Sequence, residues 1–315
     1  MNERPLVWVV TPVHDGESYL AECIESVLGQ TYDNWRYVVV DNRSIDRTAE
    51  IVGEYAARDG RISLHQTSEF LPIMANWNHA LRRLPEEADY CKVVHADDTL
   101  LPECLERMVA VAEANPSVGI VTSYAIWGRE VRHAGYVPYP VELVDGRDIC
   151  RATLQGRCYV FGSPTSLLLR GSVVRDRSAF YNEQNFHADT EVCFDVLRTT
   201  DLGFVHQVLT HTRVHEEAMT SVASRINTFH SGWLTILYKF GRFYLDPGAY
   251  KRRWRWTVRR YLVYLAKSTV KLRVRHPAFR KHHSETIAFL WHTLRRHPPE
   301  TVPSRNGVAA STADE

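Results

Sequence analysis

Lys92-Val93-Val94-His95-Ala96-Asp97-Asp98-Thr99-Leu100-Leu101-Pro102 is the stretch that decides how the rest of the chain is read. An apolar run stops abruptly in two adjacent carboxylates, then meets a leucine pair and a proline. That is the pattern of a buried strand opening through a polar loop into a helix. Adjacent negative charges repel, and a cation between them removes the repulsion. Hard oxygen ligands of this kind suit Mg2+ or Mn2+ carrying a substrate phosphate. On the pair alone, Asp97 and Asp98 read equally well as caps of the following helix.

The same unit recurs upstream. Val7-Trp8-Val9-Val10 ends in Thr11-Pro12-Val13-His14-Asp15-Gly16, after which Leu20, Cys23, Ile24, Val27 and Leu28 fall at helical spacing. Tyr37-Val38-Val39-Val40 ends in Asp41-Asn42-Arg43-Ser44, and Ser44 or Asp46 is placed to cap the segment carrying Ala49, Ile51, Val52 and Tyr55. A weaker strand over 62–65 precedes a helix around 74–84, and the fourth strand is 90–94. Pro102 opens a helix with Leu105, Met108, Val109 and Ala112, before a further strand at 118–121. Strands apolar along their whole length, alternating with helices, predict an α/β fold with a mostly parallel sheet flanked by helices. Ligands bind such sheets at the carboxyl ends of strands, so the clusters at 11–15, 41–44 and 95–98 converge on one site. No G-x-G-x-x-G follows the first strand and no G-x-x-x-x-G-K-[ST] is present, which argues against a nicotinamide dinucleotide and a P-loop.

Beyond about residue 125 the regularity fades. A glycine turn at Gly162 precedes a strand toward Arg170, and His187-Ala188-Asp189-Thr190-Glu191 leads into a helix ending near Leu197. Residues 209–216 read as a strand delivering Arg213 and His215 to one side at period two.

The 315 residues hold one large domain or a domain and a half. Cys23, Cys91, Cys104, Cys150, Cys158 and Cys193 lack C-x-x-C or zinc-finger spacing, so free thiols in a reducing cytosol are expected. No signal peptide is legible, and no segment reaches the roughly 18 uninterrupted apolar residues of a membrane span. The net charge of +1 hides an asymmetry: residues 225–297 carry 17 Lys and Arg against Asp246 and Glu285, leaving the remainder at −14. That basic stretch interleaves Trp233, Tyr238, Phe240, Trp254 and Trp256 with its cations, which favours an anionic membrane surface. Nucleic acid, or plain packing on the acidic body, fits the composition too and is not favoured.

Taken together, these motifs resemble the inverting glycosyltransferases of family 2, with a GT-A fold and a nucleotide diphospho-sugar donor. The similarity covers about residues 5–222 and rests on several motifs in the family's order. Thr11-Pro12-Val13 resembles the opening strand end. Asp41-Asn42-Arg43-Ser44-Ile45-Asp46-Arg47-Thr48 resembles the D-D-x-S-x-D-x-T segment, and Asn78-His79-Ala80-Leu81 is similar to the N-x-G-L helix. His95-Ala96-Asp97-Asp98 stands where the family has D-x-D-D, Gly162-Ser163-Pro164 resembles its glycine loop, Asp189 falls in the E-D motif, and Arg213-Val214-His215 matches its last segment.

The resemblance implies roles. Thr11, Pro12, Val13, Asp41, Ser44, Asn78, His95, Ala96, Asp97 and Arg213 would contact the nucleotide, with Asp41 reading the base. Asp97, Asp98 and His215 would hold Mg2+ or Mn2+, and Asp189 would be the catalytic base. Gly162, Ser163 and Glu191 would lie on the acceptor side, Glu191 as a helix-start carboxylate rather than a second base. A UDP- or dTDP-sugar is the favoured donor. The acceptor is a saccharide or lipid-linked hydroxyl in surface polysaccharide or glycolipid assembly, reached from the cytoplasm or peripherally on the inner membrane face. Three departures stand out: His95 for the first Asp, Asn42-Arg43 for Asp-Gly, and Ala188 for the acid beside Asp189. They admit an alternative, a catalytically weakened nucleotide-sugar-binding or membrane scaffold protein. The expected division is a GT-A domain over 1–224, a basic helical extension over 225–297 and a disordered tail over 298–315.

Overall fold

Valine-rich runs become parallel strands because β-branched side chains pack well on a pleated surface buried on both faces. They are β1 (Val7–Val13), β2 (Trp35–Asp41), β3 (Ile62–Gln66) and β4 (Tyr90–Val93), adjacent in the order β3-β2-β1-β4. The computed structural model describes residues 4–133, 135–215, 228–270 and 277–295, and the chain divides after Arg225 into two compact units. In the first unit, α1 (Leu20–Leu28), α2 (Thr48–Ala56) and α3 (Ile73–Leu81) connect the parallel strands. Val9, Trp35, Tyr37 and Val39 are fully buried against Leu20, Ile24 and Val27 of α1. Each such side chain contributes about 1.5–3 kcal/mol on leaving water. Register matters for function: Val13 pairs with Asp41 and Asp41 with Gln66, so the loops after β1, β2 and β3 leave the sheet at one level.

The chain continues through β5 (Thr99–Leu100), α4 (Cys104–Ala114), β6 (Val118–Trp127), β7 (Glu130–Arg132), β8 (Leu143–Val144) and α5 (Gly146–Leu154). A 3-10 turn (Pro164–Ser166) then leads into β9 (Leu168–Arg170), α6 (Gly171–Arg175), α7 (Ala188–Val196) and β10 (Asp201–Thr212). Short β9 runs antiparallel between β4 and β6, and β10 runs parallel to β6. The sheet is therefore parallel over its first four strands and mixed beyond them.

One expected element moves. The strand read from 209 starts at Asp201 and ends at Thr212, so Arg213 and His215 follow the strand rather than project from it. Glu216 lies outside the described residues. Gly203, His206 and Gln207, with register shifts between Val205 and Thr210, break the apolar alternation that would have revealed the first half.

The second unit is helical, with α8 (Phe229–Tyr244), α9 (Pro247–Val270) and α10 (Pro277–Arg295). Leu234, Tyr261 and Leu290 form its small core with Trp254, Val258, Leu265 and Phe289. Tyr261 and His283 share a buried hydrogen bond of 2.9 Å between the hydroxyl and Nδ1. Among the described residues, no helix is long and apolar enough to cross a membrane. The tail expected to be disordered, 298–315, lies outside the described residues.

Candidate active site

The loops after β1 and β2 are laced together by side chains bonding across to backbone amides. Asp15 N donates to Ser44 Oγ (2.9 Å), Ile45 N to Asp15 Oδ1 (2.9 Å), Gly16 N to Thr48 Oγ1 (2.8 Å), Glu17 N to Asp46 Oδ2 (2.9 Å) and Arg47 N to Glu17 Oε2 (3.1 Å). Asp15 and Arg43 sit at φ 51° and 61°, left-handed geometry that a tight loop imposes on non-glycine residues. Asp46 accepts from Thr48 N at 2.9 Å one residue ahead of the N-cap position of α2, which Arg47 occupies without a side-chain cap bond, while Ser44 serves the other loop.

Asp41 is fully buried, with Oδ1 held by Ser44 N (3.0 Å) and Oδ2 by Gln66 Nε2 (2.9 Å). Asn42, the first departure, donates to Leu71 O and accepts from Leu71 N, both at 2.8 Å. An aspartate has no N–H for that donation, so asparagine anchors the 67–72 loop in a way the family's residue could not. Thr11 spends its hydroxyl inside the sheet, donating to Val94 O at 2.7 Å and bonding Tyr37 at 2.8 Å. Pro12 and Val13 lie within β1, and Ala96 packs on the core beside them.

The carboxylate cluster lies just beyond β4. Ligand-capable atoms of His95, Asp97 and Asp98 all fall within 4.8 Å of one another. Asp98 is buried: Oδ2 accepts from Thr165 Oγ1 (2.6 Å) and Oδ1 from Arg213 N (3.0 Å). Burial, and then the neighbouring Asp97 charge, push its carboxyl up to about 8 despite those hydrogen bonds. Asp97 is more open, its Oδ2 2.9 Å from His215 Nε2. Arg213 donates from Nε to Asp97 O (3.1 Å), pairs through Nη2 with Glu22 (2.6 Å) and lies 4.6 Å over the Tyr19 ring. Arg213 and His215 thus clasp the acidic loop from opposite chemistries, one holding backbone and the other carboxylate.

His95, the second departure, rests its ring 4.6 Å from Trp77, and burial holds its imidazole below the usual value. Its Nε2 is buried without a hydrogen-bond partner. The residues fit a divalent cation: the His95 imidazole, its Nδ1 3.9 Å from Asp98 Oδ2, stands beside two adjacent carboxylates whose mutual repulsion has no counter-charge among them, a donor set a cation completes. Asp97 and Asp98 would hold it together with His95, which the cluster adds to the expected set, and His215, expected as a ligand, stands 2.9 Å from Asp97 Oδ2.

Two side chains the sequence reading did not assign build the floor. Thr165 bonds Asp98 and also accepts from His95 N at 3.1 Å. Lys92, fully buried, donates to Thr165 O (2.7 Å) and Leu167 O (3.2 Å), fixing the turn that presents Thr165. Burial lowers the Lys92 ammonium pKa. Lys92 was visible in the opening stretch as a charge interrupting an apolar run, which is the signal of a buried, bonded cation.

Asp189 occupies the first turn of α7 and accepts from Thr190 N at 2.7 Å. Burial raises its carboxyl above the usual range, with His187 pulling the other way. Tyr181, whose hydroxyl is raised by burial and by Asp189, meets Trp77 edge-on at 5.3 Å, and Trp77 lies in turn against His95. Glu191 is held by Asn182 Nδ2 (3.1 Å) and Asn185 Nδ2 (2.5 Å), fastening the loop before α7. Asn78 is buried and bonds backbone. Its amide takes Tyr181 N and gives to Tyr181 O, both at 2.8 Å, and also bonds Glu183. Buried backbone there needs partners more than a surface ligand would. Gly162 has φ 67°, and a Cβ would sit 2.7 Å from Ser166 Oγ. Ser163 bonds Thr212 at 3.1 Å.

A mixed α/β sheet with an acidic loop beyond β4 and a buried carboxylate on a later helix defines a GT-A architecture. The family model for glycosyl transferase family 2 matches residues 8–173, more than half of the chain, and the chain belongs to that family. Two Bacillus subtilis relatives carry provisional names. Glycosyltransferase EpsE is 32% identical over 51% of this chain and 59% of its own length. Teichuronic acid biosynthesis glycosyltransferase TuaG is 27% identical over 41% of this chain and 50% of its own. Among solved structures, S. aureus TarS 1-349 with UDP-GlcNAc superposes with a TM-score of 0.65 at 16% identity, over 90% of this chain and 80% of that one. The Pyrobaculum calidifontis mannosyltransferase PcManGT with GDP-Man and Mn2+ gives 0.56 at 15%, over 93% and 87%. At such identities these neighbours speak for the fold.

Proposed function

We propose that this chain transfers a sugar from a nucleotide diphospho-sugar to a hydroxyl acceptor, with inversion, in surface polysaccharide or glycolipid assembly. The observation that supports the reading is the His95-Asp97-Asp98 cluster, with Trp77 packed against both His95 and Tyr181. A divalent cation bound at the cluster supplies Lewis-acid stabilisation of the leaving diphosphate. The chain's own residues do the rest. Asp41, kept in place by Ser44 N and Gln66, offers a carboxylate to the ring N–H that uracil, thymine and guanine present, and the family resemblance rather than this contact favours a UDP- or dTDP-sugar. The GDP-Man complex of PcManGT keeps guanine in the comparison.

Asp189 accepts the acceptor's hydroxyl proton as the oxygen attacks the anomeric carbon. The bond from that carbon to the diphosphate breaks on the opposite face, so the configuration inverts. A carboxylate with a raised pKa is a stronger base, and burial supplies that here. The name of TuaG supports a polysaccharide acceptor. Six cysteines without a disulfide support a reducing compartment, and we place the protein peripherally at the inner membrane face.

The test is release of nucleoside diphosphate from UDP-, dTDP- and GDP-sugars with Mn2+ or Mg2+, with and without oligosaccharide acceptors. Turnover with one base class that falls with Asp189→Asn supports the proposal. A folded protein that releases nothing from any donor overturns it.

A further inference from the structure

Helix Pro247–Val270 contains no acidic residue, and its outward side carries Lys251, Arg252, Arg255, Arg259, Arg260 and Lys267, all exposed. Among these cations stand three exposed apolar side chains: Trp256 (44%), Leu262 (53%) and Val263 (45%). Arg252, Trp256, Arg259 and Val263 recur at i, i+4, i+7 and i+11 and so share one face. The inward side is already used, since Tyr261, Trp254, Val258 and Leu265 pack in the core of the helical unit. This face is therefore not a core surface awaiting its partner within the unit. We infer that this face of helix Pro247–Val270 is a docking surface for anionic lipid headgroups, the cations meeting phosphates while Trp256, Leu262 and Val263 enter the headgroup–acyl boundary.

Charge complementarity selects an anionic partner, and a second copy of the same face would repel itself. The apolar side chains select lipid over nucleic acid. Single strands are gripped by bases stacking on aromatic faces, but the faces of the part-exposed Trp256 ring already carry guanidiniums, with Arg253 Cζ at 4.2 Å and Arg260 Cζ at 4.8 Å. Exposed Leu262 and Val263 have no counterpart on a phosphodiester backbone, whereas they match an interface where apolar groups sink below charged ones. The inference gives the proposed membrane location a specific surface and a lipid chemistry, and it rests on that location but not on the transfer reaction.

The experiment is co-sedimentation of the full chain with vesicles of phosphatidylcholine alone and of phosphatidylcholine with phosphatidylglycerol. Binding is expected only to the anionic vesicles and should be released by raised salt, a series that needs no variant. Each basic residue near such a surface is worth about a fivefold change, so Arg252→Gln/Arg255→Gln/Arg259→Gln together should weaken partitioning about a hundredfold. Trp256→Ala should weaken it too, and neither variant should change release of nucleoside diphosphate in solution. Equal binding to neutral vesicles, salt-insensitive binding, or full binding by the folded triple variant overturns the inference. So does a result in which vesicles are ignored while a single-stranded RNA probe binds and is lost in the triple variant. Vesicle binding needs no turnover, so its failure is distinguishable from failure of the proposed transfer.

Discussion

Asp98 makes metal binding a proton exchange. Its carboxyl, raised to about 8 by burial and by Asp97, holds its proton far more tightly than a free carboxyl does, and a cation must displace that proton to gain the oxygen. For one displaced proton, the apparent Mn2+ affinity should weaken about fiftyfold between about pH 8 and about pH 6, approaching tenfold per unit at the acid end. His95 adds little, because burial holds its imidazole below the usual value. Calorimetric titration of Mn2+ into the full chain at several pH values measures the slope. Repeating it in buffers of different ionisation enthalpy counts the protons released. Affinity constant within about threefold across the range, or the same slope in Asp98→Asn, would refute the reasoning.

Stability follows with the opposite sense from an ordinary ion-paired carboxylate. The folded-state value lies above the unfolded one, so the folded state binds more protons between about pH 4 and about pH 8. The contribution is fully present below about pH 4 and lost as pH rises through about 8, at most about 1.4 kcal/mol per unit. Asp98→Asn should flatten that fall in metal-free melts.

Four further outcomes are expected. Asp189→Asn should lower transfer about 10²- to 10⁴-fold with donor affinity unchanged, whereas Glu191→Gln should mainly lower the melting temperature; steady-state kinetics and melts separate them. Asn78→Ala should cost about 2–4 kcal/mol in denaturant unfolding, because it strips both partners from the buried Tyr181 backbone, and should leave nucleotide affinity near wild type. Thr165→Val removes the hydroxyl donor to Asp98, so the midpoint of pH-dependent Mn2+ binding should move to higher pH. Gly162→Ala places a Cβ within 2.9 Å of Ser166 and His133 at positive φ, and a loss of about 1–3 kcal/mol should register in the same unfolding assay.

The parallel half of the sheet was legible because each strand is an unbroken apolar run ending in a polar cluster, and α1 and α4 because their apolar spacing is helical. Strands of two or three residues, such as β5 and β9, are too short to carry a period, and β10 hides its first half behind Gly203, His206 and Gln207. In the site, charged residues announced themselves and neutral ones did not. Asp97, Asp98, Arg213 and His215 come together from segments more than a hundred residues apart. Thr165 and Gln66, which set the behaviour of Asp98 and Asp41, are ordinary polar residues whose importance exists only in three dimensions. Asn78 shows the converse, a residue in a recognisable motif whose work here is to hold Tyr181.

The lacing of residues 15–17 to 44–48 bears on how the donor is met. Five backbone amides on those loops already have side-chain acceptors across the gap, so neither loop can open without stranding the other's donors. In hydrogen–deuterium exchange the amides of Asp15, Gly16, Glu17, Ile45 and Arg47 should therefore exchange with one shared opening rate, although all but Gly16 belong to exposed residues. A rim that opens as a unit is preorganised, and the entropy of ordering it is spent in folding rather than charged against the arriving nucleotide.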